Sequence, residues 1–248
     1  MVMDRLSKGI AVGKMLFQEA THQARRIEED LKARREVDVA GMVAGLRARL
    51  SEQLALEPLP IDGDLALKSG PLGLGKVQTW AFSTPKLRKV VLSHVSMPPL
   101  IEGLALTLLP TPDQDFPIFA ADLMALPFFI SVNADVYGRD WQTREVLRSM
   151  ETTFMRLSAS RGPAWSAKLG SGRGLHAKLR PHNIEEGFAA LLQGTASYLT
   201  ELQDAPPGRS VEGQAMVFQT FHTHGPKKRL SRILGEEWAE RYSRLLFE

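Results

Sequence analysis

The sequence predicts an α+β fold in which a central antiparallel β-sheet is covered by helices on both faces. Three observations carry that prediction. Residues 4–53 and 141–247 are rich in good helix formers, with apolar positions three and four apart. Between them, residues 58–135 hold five short apolar segments, each bounded by turn residues. The connections between those segments are short, which makes an antiparallel meander the natural topology.

In chain order, the first zone reads as two helices that break near Val37 to Val39. Leu16, Ala20, His22 to Ala24, Ile27 and Leu31 recur at helical spacing. The charged run from Arg25 through Glu28, Glu29 and Asp30 to Arg35 allows opposite-charge pairs on a solvated face. Glu57-Pro58-Leu59-Pro60 ends this zone, because proline cannot continue a helix and pushes its predecessor toward extended backbone. Strands are expected over Val77–Phe82, Arg88–Val95, Gly103–Leu109, Ala120–Ala125 and Phe128–Ala134. Helix returns over Trp141–Ser158, Asn183–Leu202 and Lys227–Phe247. Asn183 is expected to cap the second of these with its side chain, with Glu185 and Glu186 near the positive end of the helix dipole.

The chain has 248 residues, 44% of them hydrophobic and 24% charged, which fits one globular domain and excludes a collagen-like or wholly disordered protein. Within it, residues 1–56 read as an N-terminal helical extension and residues 57–248 as the sheet-containing core. There is no cysteine, which excludes disulfides, thiol chemistry and any metal or iron–sulfur cluster held by protein sulfur. No apolar run is long enough for a signal peptide or a membrane span, so a cytoplasmic, non-membrane protein is expected, and a monomer. The formal charge is only +3, yet six basic residues and no acid lie between Arg156 and Arg180. A second basic cluster follows at Lys227, Lys228, Arg229 and Arg232. An anionic partner is the physical implication.

Two motifs imitate catalytic signatures. Gly70 to Lys76 has the spacing of a phosphate-binding loop, but Val77 stands where Ser or Thr must hold magnesium, and a strand follows instead of a helix. It reads as a turn. The Gly170 to Gly174 run lacks dinucleotide-binding spacing and reads as a loop. His222 and His224 have no carboxylate nearby in sequence, so no metal site is expected from them.

Longer stretches carry more. Gly235-Glu236-Glu237-Trp238-Ala239-Glu240-Arg241-Tyr242 with Leu246-Phe247 closely resembles the last helix of the ferredoxin-dependent bilin reductases, nearest to their phycocyanobilin-forming branch. Leu59-Pro60, Ser83 to Lys89, Pro117 to Asp122, Ala134-Asp135 and Arg180 to Glu186 follow in that family's order. The resemblance spans roughly residues 58–248. It implies a three-layer α/β/α sandwich with a linear tetrapyrrole, biliverdin or a close relative, between the sheet and the C-terminal helices. It also implies that the protein binds no cofactor of its own and takes electrons one at a time from reduced ferredoxin. A basic surface suits an acidic ferredoxin.

Carried over residue by residue, Asp122 falls on the family's central aspartate and is the expected proton donor. A carboxyl group in an apolar pocket holds its proton nearer neutrality. Arg161 resembles an arginine that grips a propionate, as guanidinium suits carboxylate. Two positions depart from the phycocyanobilin-forming pattern: Ser93 stands in place of a glutamate, and Ala105 in place of the catalytic histidine seventeen residues before Asp122. The product is therefore expected to be a dihydrobiliverdin or another bilin, not phycocyanobilin. His224 falls on a second acidic position used by other members and could replace it, with His222 as its rival. Ser93, Ala105, Arg161 and Lys227 are the candidate substrate-binding positions. His94 should face away from Ser93 on its strand.

The resemblance implies a reductase that adds two or four electrons to the bilin. The alternative is a non-catalytic bilin carrier or sensor that kept the pocket and lost two acid–base positions. Nucleic-acid binding explains the basic stretch but lacks interleaved aromatics, with only Trp165 there, and is not expected.

Overall fold

The computed structural model describes residues 19, 21–70, 73, 75–114, 116–137, 174–205 and 227–247. In chain order they form α1 (21–35), α2 (Val39–Gln53), β1 (Glu57–Pro58), the single turn α3 (Gly63–Ala66), β2 (Leu67–Ser69), β3 (Lys76–Ser83) and β4 (Leu87–Met97). There follow β5 (Ile101–Pro110), β6 (Ile118–Ala125), β7 (Ile130–Tyr137), β8 (Leu175–Leu179), a 3-10 turn at Pro181–Asn183, α4 (Ile184–Gln203), α5 (Lys227–Leu234) and α6 (Glu236–Phe247). The eight strands make one sheet in the order β1-β3-β4-β5-β6-β7-β8, with β2 also on β3, and every pairing is antiparallel. From β3 to β8 the sheet is a meander.

Strict alternation along the strands splits their side chains between two faces. One face carries Leu92, Leu104, Leu106, Leu108, Phe119, Leu123 and Val132, packed under α2 and α4 in the larger core. Tyr198 of α4 is fully buried there between Phe116 and Phe119, and its hydroxyl donates to the Pro117 carbonyl at 2.6 Å. The other face buries Val77, Ala81, Val91, Val95 and Ile118 against Trp238, Tyr242, Leu246 and Phe247 of α6. Helices on both faces of one sheet give the three-layer α/β/α arrangement.

Four expectations need correction. The division at residue 57 sets α2 outside the core, yet Val39, Met42, Val43, Leu46 and Leu50 are all buried in it, so α2 is part of the sandwich. Asn183 does not cap α4 with its side chain: a 3-10 turn precedes the helix, and the Asn183 amide reaches Glu186 at 3.4 Å. The side-chain cap is found on α2 instead, where Asp38 Oδ1 accepts from the Gly41 amide at 2.8 Å. The single helix expected over Lys227–Phe247 is two, parted at Gly235, whose φ of +94° is a conformation that favours glycine. Strands β1, β2 and β8 were not among those expected, because each has at most five residues and little apolar length to mark it. The helix expected over Trp141–Ser158 lies outside the described residues.

The family-like C-terminal motif has a structural role in this arrangement. Trp238 stacks on Tyr242 with ring centroids 4.8 Å apart and donates to the Asp64 carbonyl at 2.8 Å. Arg241 pairs with Asp64 and Asp62 beside α3. The motif ties α6 to the β1–β2 edge of the sheet. The Gly70 to Lys76 segment closes as a turn, with the Gly70 amide on the Gly75 carbonyl at 2.8 Å, and leads into β3.

Candidate active site

Asp122 lies in the middle of β6, one of the central strands, on the face that looks toward the C-terminal helices. Its neighbours Phe119, Ala121 and Leu123 belong to the opposite apolar core, so alternation alone fixes this orientation. Register then defines a row across the sheet. Thr79 pairs with Ser93, Ser93 with Ala105, Ala105 with Asp122, Asp122 with Asn133, and Asn133 with His176. Adjacent strands are about 4.8 Å apart, so the row from Ser93 to His176 runs about 19 Å, long enough to underlie a ligand of several rings.

The row has two hydrogen-bonded ends and a gap. At one end Ser93 is fully buried beneath α6; Tyr242 donates its hydroxyl to Ser93 Oγ at 2.8 Å, and Thr79 Oγ1 lies 3.2 Å from the same oxygen. Burial pushes the Tyr242 phenol up to about 12, against a smaller opposing effect of its bond to Ser93, so it stays protonated and donates. At the other end the Asn133 amide nitrogen donates to Asp122 Oδ1 at 2.8 Å and to Ser131 Oγ at 3.3 Å, while Asn133 Oδ1 lies 3.1 Å from His176 Nδ1. Between the two ends is Ala105, whose methyl group leaves the centre of the row low. Ala105, Ala120, Asp122, Met124, Ser131 and Asn133 are all only half-buried, although they sit on central strands. Central strands of a covered sheet ordinarily bury both faces, so this patch is where a ligand can reach the sheet.

Charge on this face is concentrated in carboxylates and tempered by neutral donors. Asp135 is 2% exposed and accepts from the Val136 amide at 2.8 Å. Gly174, just before β8, comes close to it: a β-carbon there would fall 2.4 Å from the Asp135 carboxyl carbon, so only glycine fits there. Tyr137 is held well above the usual phenol range, chiefly by burial and then by the charges of Asp135 and Asp122. His176 is pushed below the ordinary histidine value by burial. The face thus offers one half-buried carboxyl group flanked by neutral hydrogen-bonding side chains, a combination suited to passing a proton to an otherwise apolar ligand.

The expected site residues fall into two groups. Asp122, Ser93 and Ala105 share the row, though Ser93 is committed to Tyr242 and Thr79 rather than turned to the open patch. Arg161, His222 and His224 lie outside the described residues, and Lys227 is the first residue of α5. His94 faces away from Ser93, as expected, and its Nε2 lies 3.8 Å from Glu102 on the α2 side. Of the basic stretch, Arg180 pairs with Asp30 of α1 at 3.0 Å and Lys178 sits over the Phe129 ring at 5.3 Å. Sequence reasoning missed Asn133 and His176. The signal for Asn133 was present: Ser131, Asn133 and Asp135 alternate with Ile130, Val132 and Ala134. His176 was hidden because Leu175–Leu179 was not read as a strand.

A cavity of about 530 Å³ opens on the opposite side, between α2 and the β3–β4 hairpin, lined by residues that include Ala44, Arg47, Lys76, Trp80 and His94. Arg47 already lies over the Trp80 and Phe82 rings, at 5.6 and 5.8 Å. Among the described residues, none of the expected site residues lines this cavity.

The strands that carry the row lie within the part of the chain that is similar to known proteins. Residues 43–137 match the family model described as ferredoxin-dependent bilin reductase, a span that runs from α2 to β7 and contains Ser93, Ala105, Asp122 and Asn133. The phycoerythrobilin:ferredoxin oxidoreductase of Nostoc punctiforme is 35% identical over 91 residues, which is 34% of this chain and 34% of that protein. The chain thus spans about a third of the length of the curated relative it matches. The crystal structure of phytochromobilin synthase from tomato, in complex with biliverdin, superposes with a TM-score of 0.71 at 15% identity, over 85% of this chain and 83% of that one. At that identity the likeness is one of fold.

Proposed function

We propose that this chain is a ferredoxin-dependent bilin reductase and that it reduces a linear tetrapyrrole of the biliverdin type lying on the open patch around Asp122. The observation that carries the reading is the half-buried Asp122 carboxyl group on a central strand, where the family match is continuous on both sides of it. Two reduced ferredoxins each give one electron, and two protons join the bilin, so that a double bond becomes a single bond flanked by new C–H bonds. Asp122 supplies one of those protons. His224, with His222 as its rival, is the proposed source of the second, and Arg161 and Lys227 are proposed to meet the propionates. Ala105 forms the floor on which the bilin rests and brings no proton. The product is accordingly a dihydrobiliverdin or another bilin that is not phycocyanobilin. Ferredoxin is a diffusing partner, and a reducing, cytoplasmic setting suits the exchange.

The test is anaerobic absorption spectroscopy of the purified chain with biliverdin IXα, before and after reduced ferredoxin, with products separated by chromatography. The expected result is a bound spectrum that passes through radical bands to a shorter-wavelength product. A bound spectrum that reduced ferredoxin leaves unchanged, with a known reductase active in parallel, contradicts the reading and identifies a bilin carrier or sensor.

A further inference from the structure

The cavity between α2 and the β3–β4 hairpin has the make-up of a ligand site. Its volume of about 530 Å³ falls in the usual range of small-molecule pockets and is more than a bare inorganic anion fills. The space exists because Ala40, Ala44 and Ala48, four residues apart on one line of α2, present only methyl groups to it. On the sheet side the half-buried Trp80 adds a flat apolar surface. Among the described residues no carboxylate lines the cavity, whereas Arg47 and Lys76 both do.

The polar side chains of this lining lack partners. The Arg47 guanidinium lies over the Trp80 and Phe82 rings, which occupy its face and hold its plane. Its in-plane N–H donors have no acceptor among the described residues, and neither has the Lys76 ammonium. His94 is 7% exposed and its Nε2 makes no hydrogen bond; Glu102, 3.8 Å away, is beyond reach and is shared with Arg34 at 3.6 Å. A buried polar group in that state is costly, and a ligand with a polar end offers it relief. Gln78 and His94 are cross-strand partners, and Lys76 follows on the same face of β3, so the polar groups gather at one part of the cavity.

We propose that this cavity binds a small organic carboxylate with a flat apolar body, the carboxylate on Arg47 and Lys76 and the body between the α2 alanines and Trp80. Gln78 and His94 alternate along their strands with Thr79 and Ser93, so the cavity backs onto the sheet opposite the register row. Its occupant leaves the patch around Asp122 open, and the proposal stands apart from the bilin reading.

The probe is 1-naphthoate, titrated into the full chain by tryptophan fluorescence and by calorimetry, with uncharged 1-naphthalenemethanol for comparison. One naphthoate should bind per chain, with the neutral analogue about tenfold weaker, the size of one charge-assisted hydrogen bond. R47L and K76L should each weaken naphthoate about tenfold and leave the neutral analogue within about twofold. A44F, which fills the space from the exposed side of α2, should abolish binding of both. Saturating biliverdin IXα should leave the naphthoate affinity unchanged. No binding at millimolar naphthoate, equal affinity for the neutral analogue, indifference to both R47L and K76L, or binding that survives A44F overturns the proposal. One-for-one displacement of naphthoate by biliverdin overturns it too, and also contradicts the placing of the bilin at Asp122. A chain that binds naphthoate as described but leaves biliverdin unreduced sinks the functional reading alone.

Discussion

The two faces of the sheet obey the same alternation and serve different ends. The face under α2 and α4 is filled with Leu92, Leu104, Leu106, Leu108, Phe119 and Leu123, all no more than 1% exposed. The face toward α6 carries Thr79, Ser93, Asp122, Asn133 and His176 in one register row and leaves its centre half-buried. Burying a polar group without a partner costs free energy, so the second face has had to build a network for its polar groups, while the first has only to pack. The sheet is thus closely packed on one side, and on the other combines a smaller core under α6 with an open polar patch.

That contrast is sharpest at Asp122. D122N keeps the amide-sized side chain but removes the acid, so bilin binding should persist while turnover falls by about 100-fold or more, read as single-turnover rate. A D122N chain that turns over normally breaks the assignment of chemistry to this face. On the other face, L106A should cost about 3 kcal/mol in chemical denaturation through the cavity it leaves, with little change in the rate per folded molecule.

Smaller effects probe the boundary between the faces. Y242F removes the hydroxyl that donates to Ser93 at 2.8 Å but leaves Ser93 with Thr79, so the loss should be about 1 kcal/mol by denaturation. The smallest expected effect is in pH. His176 and His94 are both pushed below 6.5, in each case chiefly by burial, while the unfolded chain takes up protons at 6.5. Their contribution to stability is complete above 6.5 and declines as pH falls from there through the lower folded values. Denaturation midpoints measured from pH 8 downward should drop in that window, and H176N should flatten the slope.

How far the sequence carried this picture depended on where the information is written. The meander was legible because its strands alternate and its turns are marked by Gly, Pro and Asp; β4 and β5 each extend only one or two residues beyond either expected end. Asp122 was singled out by the family resemblance, and its facing direction follows from the apolar residues on either side. The partners of Asp122 were not, because cross-strand register depends on where each hairpin turns, and a residue 54 positions later on β8 cannot be placed beside it by spacing. Ser93 illustrates the same limit: its position in the family pattern suggested substrate contact, whereas its actual neighbours, Thr79 and Tyr242, come from β3 and α6. The role of Asn183 failed for a local reason, since a 3-10 turn set its backbone near φ −99° and ψ 16°, outside the extended geometry a capping side chain needs.

The central claim is that the bilin lies on the polar face, over Ala105 and against Asp122. A crystal structure of the chain with biliverdin IXα tests it most directly. The account predicts the tetrapyrrole between the sheet and the C-terminal helices, with a pyrrole nitrogen or lactam oxygen about 3 Å from an Asp122 carboxylate oxygen. A bilin seated instead in the cavity beneath α2, against Arg47 and Trp80, would contradict it.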